Sequence, residues 1–295
     1  MREDTPARER RIGLICAALL IVVWAGFHVA ARLGASQDLT PWDMAALRTG
    51  GALVGALVLL LWFRMPRLPP YRALALAVTA GFGFPLFAYA GYVFAPAAHG
   101  AVLMAGALPF ATAILSSLFL AERFTGRQAM ALTAVAAGAT LLGVDMWGDH
   151  PGAWIGDVLF LCGILSWAVF TLLIRRWRVS PMDGTLTVAL WCAPVYLPVW
   201  WLLLPSTLDQ AAVGAVLFQA LWQGVVAVIL AGFLFARSVV ALGPVVTTTI
   251  TAAVPPVAAL AAWPLLGEAL GPVGLAGVAV VAVGTVLGVT GSARR

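Results

Sequence analysis

Lysine is absent from this chain of 295 residues, and charged residues of all kinds make up only 10% of it. Hydrophobic residues account for 62%, and the mean hydropathy is +1.00. A soluble domain with so little charge would expose large apolar patches, so this composition excludes that class. The apolar runs approach the twenty residues that a helix needs to cross a bilayer, and they lack the alternation of a membrane barrel. The sequence therefore predicts an all-α polytopic membrane protein.

Cysteine is scarce, and its placement excludes two further classes. Cys16, Cys162 and Cys192 are an odd number, lie inside apolar runs and lack ligand spacing, so neither a disulfide framework nor a cysteine metal site is expected. No His-Glu-x-x-His pair, aspartate-rich cluster, nucleophile elbow or phosphate loop occurs. We therefore expect no enzyme activity, no catalytic residue, no metal and no cofactor.

The net charge of +5 would suit a nucleic-acid partner, but the arginines lie mostly in short turns between apolar runs. With the N-terminus inside, every arginine except Arg32 and Arg48 falls in a cytoplasmic segment. Such an asymmetry sets orientation in a membrane. We expect no nucleic-acid partner, and a bacterial-type inner (plasma) membrane location with both termini cytoplasmic.

Several residues of the first half recur in the second. A Trp-Ala-x-Phe motif recurs after 143 residues, with an arginine eight residues beyond each tryptophan, and a proline and a glutamate recur after 146 residues. The recurring residues are Trp24, Arg32, Pro109 and Glu122 in the first half and Trp167, Arg175, Pro255 and Glu268 in the second. A repeat at this spacing predicts two halves of similar plan.

Ten apolar segments predict ten spans, over residues 12–32, 42–63, 72–94, 98–120, 128–144, 153–174, 183–204, 212–236, 244–266 and 272–290. The expected organisation is a tail over 1–11, a five-helix repeat over 12–144, a junction over 145–152, a second five-helix repeat over 153–290 and a tail over 291–295. An odd number of spans per half inverts one half relative to the other. Inverted repeats are typical of alternating-access transporters, whose substrate site lies near the midplane.

The order and duplication of these motifs, together with Pro41 and Arg48 in the second span, resemble the drug/metabolite transporter superfamily, EamA type. Within it the chain is similar to the exporters of aromatic and other neutral amino acids. The resemblance implies a basket of helices around a central cavity and export of small neutral or zwitterionic metabolites, foremost amino acids. The expected partners are a small-molecule substrate and the lipid bilayer, and the expected state is a monomer.

Other functions remain open at this point. The alternatives are a lipid-handling or structural membrane protein, and a transporter of another metabolite or drug-like solute. Polar residues at mid-depth indicate a pathway for a solute through the protein. They therefore favour a transporter over a lipid-handling or structural membrane protein.

Polar and aromatic side chains near mid-depth are the candidates for lining a substrate cavity. They are Trp24, Phe27, His28, Trp167, Phe170, Gln219, Trp222, Gln223 and Thr248. Each has a competing interpretation as a packing residue, and His28 could instead be a core histidine bonded to a backbone carbonyl. Gln219 and Gln223 lie one turn apart and are expected on one face of their helix.

Structural or gating roles are expected for Arg48, Pro109, Glu122, Pro255 and Glu268. Arg48 lies inside a predicted span, where an isolated charge should face water or a carboxylate or extend towards headgroups. We favour a fold-supporting role over substrate contact. Every Asp and Glu falls in a tail, in a turn or near a helix end, so no carboxylate is expected at mid-depth.

Overall fold

The computed structural model describes residues 5–37, 39–120, 126–145, 152–242, 247, 250–251 and 253–292, and within these residues it contains helices and no strand. The helices are α1 Thr5–Ser36, α2 Pro41–Leu59, α3 Pro70–Phe94, α4 Ala97–Leu120, α5 Gly126–Asp145, α6 Ala153–Trp177, α7 Pro181–Leu203, α8 Val213–Leu242, α9 Val254–Leu266 and α10 Pro272–Ser292. Six of them, α1, α2, α3, α6, α7 and α8, are long and apolar enough to cross a membrane. Shorter apolar stretches lie in α4, α9 and α10.

Local signals place the starts of α2 and α7 close to where the sequence predicts them. At α2 the Thr40 side chain accepts a hydrogen bond from the Asp43 backbone N–H, and the Asp43 carboxylate accepts one from the Thr40 N–H. This capping box satisfies two donors that the first turn leaves open, and Pro41 supplies a preset φ. Ser180 caps α7 in a similar way, with Pro181 as its first residue.

The described bundle is built around α1, which packs against α2, α3, α4, α8 and α9. On either side of it, α2 packs on α7 and α8, and α6 packs on α3 and α4. The α5 and α10 helices pack against each other. The largest buried cluster includes Leu20 and Phe27 from α1, Tyr89 and Tyr92 from α3 and Phe160 from α6.

Glycines let α2 and α8 approach closely. A Cβ added at Gly51 would collide with the backbone carbonyl oxygen of Ala220, and one at Gly224 would lie 2.6 Å from the Gly51 Cα. The sequence predicts that the Gly51 to Gly55 spacing supports internal packing, and both glycines lie against α8.

The helix ends collect at two opposite ends of the bundle. At one, which we call the arginine-rich end, Arg237 pairs with Glu9 at 2.6 Å and the Arg72 guanidinium lies 5.3 Å from the Trp177 ring centroid. A cleft of about 680 Å³ opens there between α1, α7 and α8 and the segment after α2. The starts of α1, α3 and α7 and the ends of α6 and α8 therefore lie together.

The opposite end holds its own polar contacts. The Arg32 Nε donates to Glu268 Oε1 at 2.6 Å, and His99 Nδ1 lies 2.9 Å from Asp157 Oδ1. These contacts join the end of α1, the start of α4, the start of α6 and the segment after α9. Helices that are consecutive in the chain consequently run in alternating directions.

Two helices contain π-helical turns in place of regular α-helix. In α3 the π segment is Ala77–Gly83, and in α8 it is Ala220–Leu230. The first residues of the two segments are 143 residues apart, which is the separation of Trp24 and Trp167. π-Helical turns are rare and are frequent at functional sites.

Candidate functional site

Six polar side chains meet inside the bundle, where α1, α2, α3 and α8 face one another. They are His28, Arg48, Tyr89, Tyr92, Gln219 and Gln223, and all are buried. We call this group the central polar cluster. Polar groups deep among apolar helices are costly to bury and are retained where they bind one another or a ligand.

Two glutamines connect α8 to α1. Gln219 Nε2 donates to the Ala30 carbonyl at 2.7 Å, and Gln223 Nε2 donates to the Phe27 carbonyl at 3.3 Å. The Tyr89 hydroxyl donates to Gln223 Oε1 at 3.2 Å and so adds α3 to the same contact. The expected shared face is confirmed, because both glutamines point into the protein interior.

His28 is buried and lies 2.5 Å from the Tyr92 hydroxyl through its Nδ1 atom. Which atom donates depends on the imidazole tautomer. The histidine is therefore held by a side chain of α3, whereas the competing interpretation was a bond to a backbone carbonyl. The Tyr92 hydroxyl is an uncharged hydrogen-bond partner for His28.

Arg48 is only 9% exposed. Its Nη1 donates to the Gln223 backbone carbonyl at 3.2 Å, and its guanidinium carbon lies 5.7 Å from the Phe27 ring centroid and 5.9 Å from that of Phe84. Both rings are within cation–π distance. The side chain remains inside the protein, and no carboxylate among the described residues pairs with it.

The two repeated tryptophans have different surroundings. Trp167 lies 4.8 Å from Phe84 and 5.1 Å from Phe170 between ring centroids. Phe84 is one of the two rings next to Arg48, so Trp167 extends this group of rings, which we call the aromatic wall. Trp24 instead packs near Phe235, at 6.0 Å. Trp167 and Phe170 therefore lie near the central polar cluster, on the side where Phe84 is next to Arg48. Trp24 packs against α8 instead.

Trp222 is partly buried and stacks on Phe218, with ring centroids 6.0 Å apart. Its Nε1 is buried and has no hydrogen-bond partner among the described residues. The same is true of Gln219 Oε1. Thr248 lies outside the described residues, so the structure places eight of the nine cavity candidates.

Glu268 connects three parts of the bundle. Its Oε1 accepts from Arg32, and its Oε2 accepts from the Ala97 backbone N–H at the start of α4, at 2.9 Å. Arg32 also donates to the Tyr92 carbonyl at 2.8 Å. Glu268 therefore joins the end of α1, the start of α4 and the segment after α9.

The other expected structural residues are placed as follows. Pro255 is buried in the first turn of α9, and Pro109 lies within α4. Glu122 lies outside the described residues. No group of three or more His, Cys, Asp or Glu that could hold a metal occurs in the part of the chain that the structure describes.

Sequence reasoning did not identify Tyr89, Tyr92 and Asp43. The signal for the tyrosines was available, since the chain has only four tyrosines and these two lie within a long apolar run. The sequence places Asp43 near a helix start, as it does other acidic residues, yet the structure shows it fully buried and bound to the segment after α7.

A bundle of apolar helices with a polar cluster enclosed among them defines a multi-pass membrane protein, and the comparisons with known proteins identify its family. The sequence matches the EamA-like transporter family twice, over residues 11–144 and over residues 154–290. These matches include most of the chain, so the protein belongs to the EamA-like transporter family. The resemblance indicated by the repeated motifs is thereby confirmed.

Two relatives share low identity with the chain. A "Probable amino-acid metabolite efflux pump" of Salmonella typhimurium is 26% identical over 206 residues, covering 69% of this chain and 66% of that protein, just under two thirds of its length. A "Probable terminal-alkyne amino-acid exporter" of Streptantibioticus cattleyicolor is 27% identical over 286 residues, covering 91% of this chain and 90% of that protein.

A solved crystal structure has a similar fold. It superposes with a TM-score of 0.67 at 19% identity, covering 97% of this chain and 99% of the other. At this identity the likeness shows the fold alone.

Proposed function

We propose that this protein exports small neutral or zwitterionic metabolites, foremost amino acids, from the cytoplasm by alternating access. The observation that supports it is the central polar cluster, which joins helices of both halves deep inside a member of a transporter family. Two relatives are named for efflux or export of amino acids or their metabolites. Such solutes need polar partners for their backbone groups and apolar surface for their side chains.

Ten spans in two inverted halves are part of this proposal. Supporting it are the two family matches, the helices that run in alternating directions, and the equal offset of the π segments and the tryptophans. Five spans per half would turn the second half over in the membrane, as in alternating-access transporters. We further propose that the protein acts as a monomer in an inner membrane.

The proposed function is tested by flux in proteoliposomes that contain the purified protein. Labelled leucine and phenylalanine should cross faster than in protein-free vesicles. Movement of a fluorescent phospholipid between leaflets, without amino-acid flux, would instead indicate a lipid-handling protein.

We predict that the arginine-rich end faces the cytoplasm, because cytoplasmic segments carry the excess of arginine. After replacement of the three native cysteines, Pro66→Cys and Val179→Cys should be shielded from an impermeant maleimide in intact cells. Ser36→Cys and Asp149→Cys should react, and Asp149 lies outside the described residues. Labelling of Val179→Cys from outside would contradict this orientation.

We predict that transport is not driven by a proton gradient. The described carboxylates lie at helix ends or beyond them, so none is available at mid-depth to exchange a proton for substrate. Uptake into proteoliposomes at fixed substrate concentration should therefore reach the same plateau with and without an imposed pH gradient. Accumulation that follows the gradient and disappears in His28→Ala would assign a coupling proton to His28.

Alanine at Trp167 should reduce transport by about tenfold, since each aromatic contact contributes about 0.5–1.5 kcal/mol and Trp167 makes two. Trp24→Ala should also reduce transport, while abundance and thermal stability change little. The control is Trp201→Ala, because Trp201 is 77% exposed. A matched loss of folded protein in the Trp24 and Trp167 variants would show that these residues serve packing.

A further inference from the structure

Arg48 differs from Arg32 and Arg237, the two arginines that form ion pairs among the described residues. Arg32 pairs with Glu268 and Arg237 pairs with Glu9, so each of these cations has an anion. Arg48 is the most deeply buried of the three and has none among the described residues. A buried charge without a counter-charge is strongly unfavourable in an apolar interior. Its retention at this position needs an explanation beyond orientation in the membrane.

The protein partners of Arg48 leave most of its donors available. A guanidinium carries five N–H donors. The structure gives it hydrogen-bonding contacts with the Gln223 carbonyl and the Tyr89 hydroxyl, and the Phe27 and Phe84 rings lie nearby. Rings interact with the guanidinium through their π faces and accept no conventional hydrogen bond. The remaining N–H groups suit a planar anion bound through two parallel hydrogen bonds.

A second observation points to a polar ligand in the same region. Gln219 lies one helical turn before Gln223, and its Oε1 is buried without a hydrogen-bond partner among the described residues. Trp222 Nε1, between the two glutamines in sequence, is also buried and unpartnered. Buried polar atoms without partners are rare in native proteins, and each calls for an explanation such as a ligand. An acceptor and a donor are therefore open on α8, next to the residue whose carbonyl binds Arg48.

We infer that Arg48 binds the carboxylate of the transported solute, so that the protein selects solutes that carry one. The assignment rests on the proposed function, because an amino acid supplies the carboxylate. It replaces the preference for a purely fold-supporting role, in which the hydrogen bond from Arg48 to the Gln223 carbonyl would only join α2 to α8. The aromatic wall of Phe27, Phe84 and Trp167 then lies beside the bound carboxylate and can contact an apolar side chain.

The test compares two analogues of leucine, one that keeps the carboxylate but lacks the amino group and one that has an amide in place of the carboxylate. In wild-type proteoliposomes leucine flux should be inhibited by 4-methylpentanoate, which keeps the carboxylate, and at least about tenfold less by leucinamide, which lacks it. In Arg48→Gln this preference should fall to within about twofold, and Arg48→Lys should restore part of it. If leucinamide inhibits leucine flux in the wild type as strongly as 4-methylpentanoate does, the assignment is overturned. This comparison uses only the wild-type protein, so it does not depend on whether a variant folds.

A binding measurement separates this assignment from the proposed function. In detergent, 4-methylpentanoate should raise the thermal midpoint of the wild type, and this shift should be absent in Arg48→Gln. Absence of leucine flux together with a shift that needs Arg48 would refute amino-acid export and leave the carboxylate site standing. Leucine flux whose carboxylate preference survives in Arg48→Gln would refute the site alone. Equal loss of leucine and leucinamide flux with less folded protein would return Arg48 to a fold-supporting role.

Discussion

Alanine at Asp43 should lower the thermal midpoint of the protein in detergent by roughly 5–10 °C, since the loss amounts to about 3 kcal/mol. The Asp43 carboxylate is fully buried and accepts from Trp200 Nε1 at 3.0 Å, from the Ser206 hydroxyl at 2.6 Å and from the Thr207 backbone N–H at 2.9 Å. Truncation would leave these donors without an acceptor. Hydrogen bonds to a charged group contribute about 1.5–3 kcal/mol each and are not additive.

Asp183→Ala is the matched control for Asp43→Ala. Asp183 also lies three residues after a capping hydroxyl residue, Ser180, at the start of a helix. Its carboxylate has no hydrogen-bond partner among the described residues. The thermal midpoint of this variant should change by little, within the effect of about 0.5 kcal/mol typical of surface positions. Equal shifts in the two variants would mean that the buried contacts of Asp43 contribute nothing specific.

Alanine at Gly51 should destabilise the protein by about 2–3 kcal/mol, since backbone cannot move aside as a flexible side chain can. The added methyl group would meet the Ala220 carbonyl oxygen and the Gly224 Cα. α2 and α8 would have to separate, and the contact from Arg48 to Gln223 lies at the same interface. Amino-acid flux should therefore fall together with the thermal midpoint.

The adjacent glycine provides the control for Gly51→Ala. A Cβ at Gly50 would meet nothing within 4 Å. Gly50→Ala should leave flux unchanged and raise stability by up to about 1 kcal/mol, because alanine is the better helix former. A destabilising effect as large as that of Gly51→Ala would show that loss of glycine, and not close helix approach, is responsible.

Much of the helical plan could be predicted from the sequence because its determinants are local. Apolar runs define the helices, and proline with a capping residue marks the starts of α2 and α7. That Gln219 and Gln223 share one face of their helix also follows from helical periodicity alone. The start of the ninth predicted span lies outside the described residues.

The site partners could not be predicted, because they are distant in the sequence. Tyr89 meets Gln223 across 134 positions, and Asp43 meets Ser206 across 163. A period of 3.6 residues tells which face of a helix is buried but not which helix covers it. Arg48 shows the same limit: its place inside a span was evident, while its contact with a carbonyl and two rings depended on how α1, α3 and α8 pack.

The π segments give α3 and α8 a way to turn about their own axes. An α-helix advances about 100° per residue, so absorbing or releasing the extra residue of one π turn rotates everything beyond it by about that angle. Tyr89 and Tyr92 follow the π segment of α3, and Gln223 lies within that of α8. Screw motions of these two helices could therefore swing the cluster's hydrogen-bonding groups towards or away from each other while the helix axes stay in place.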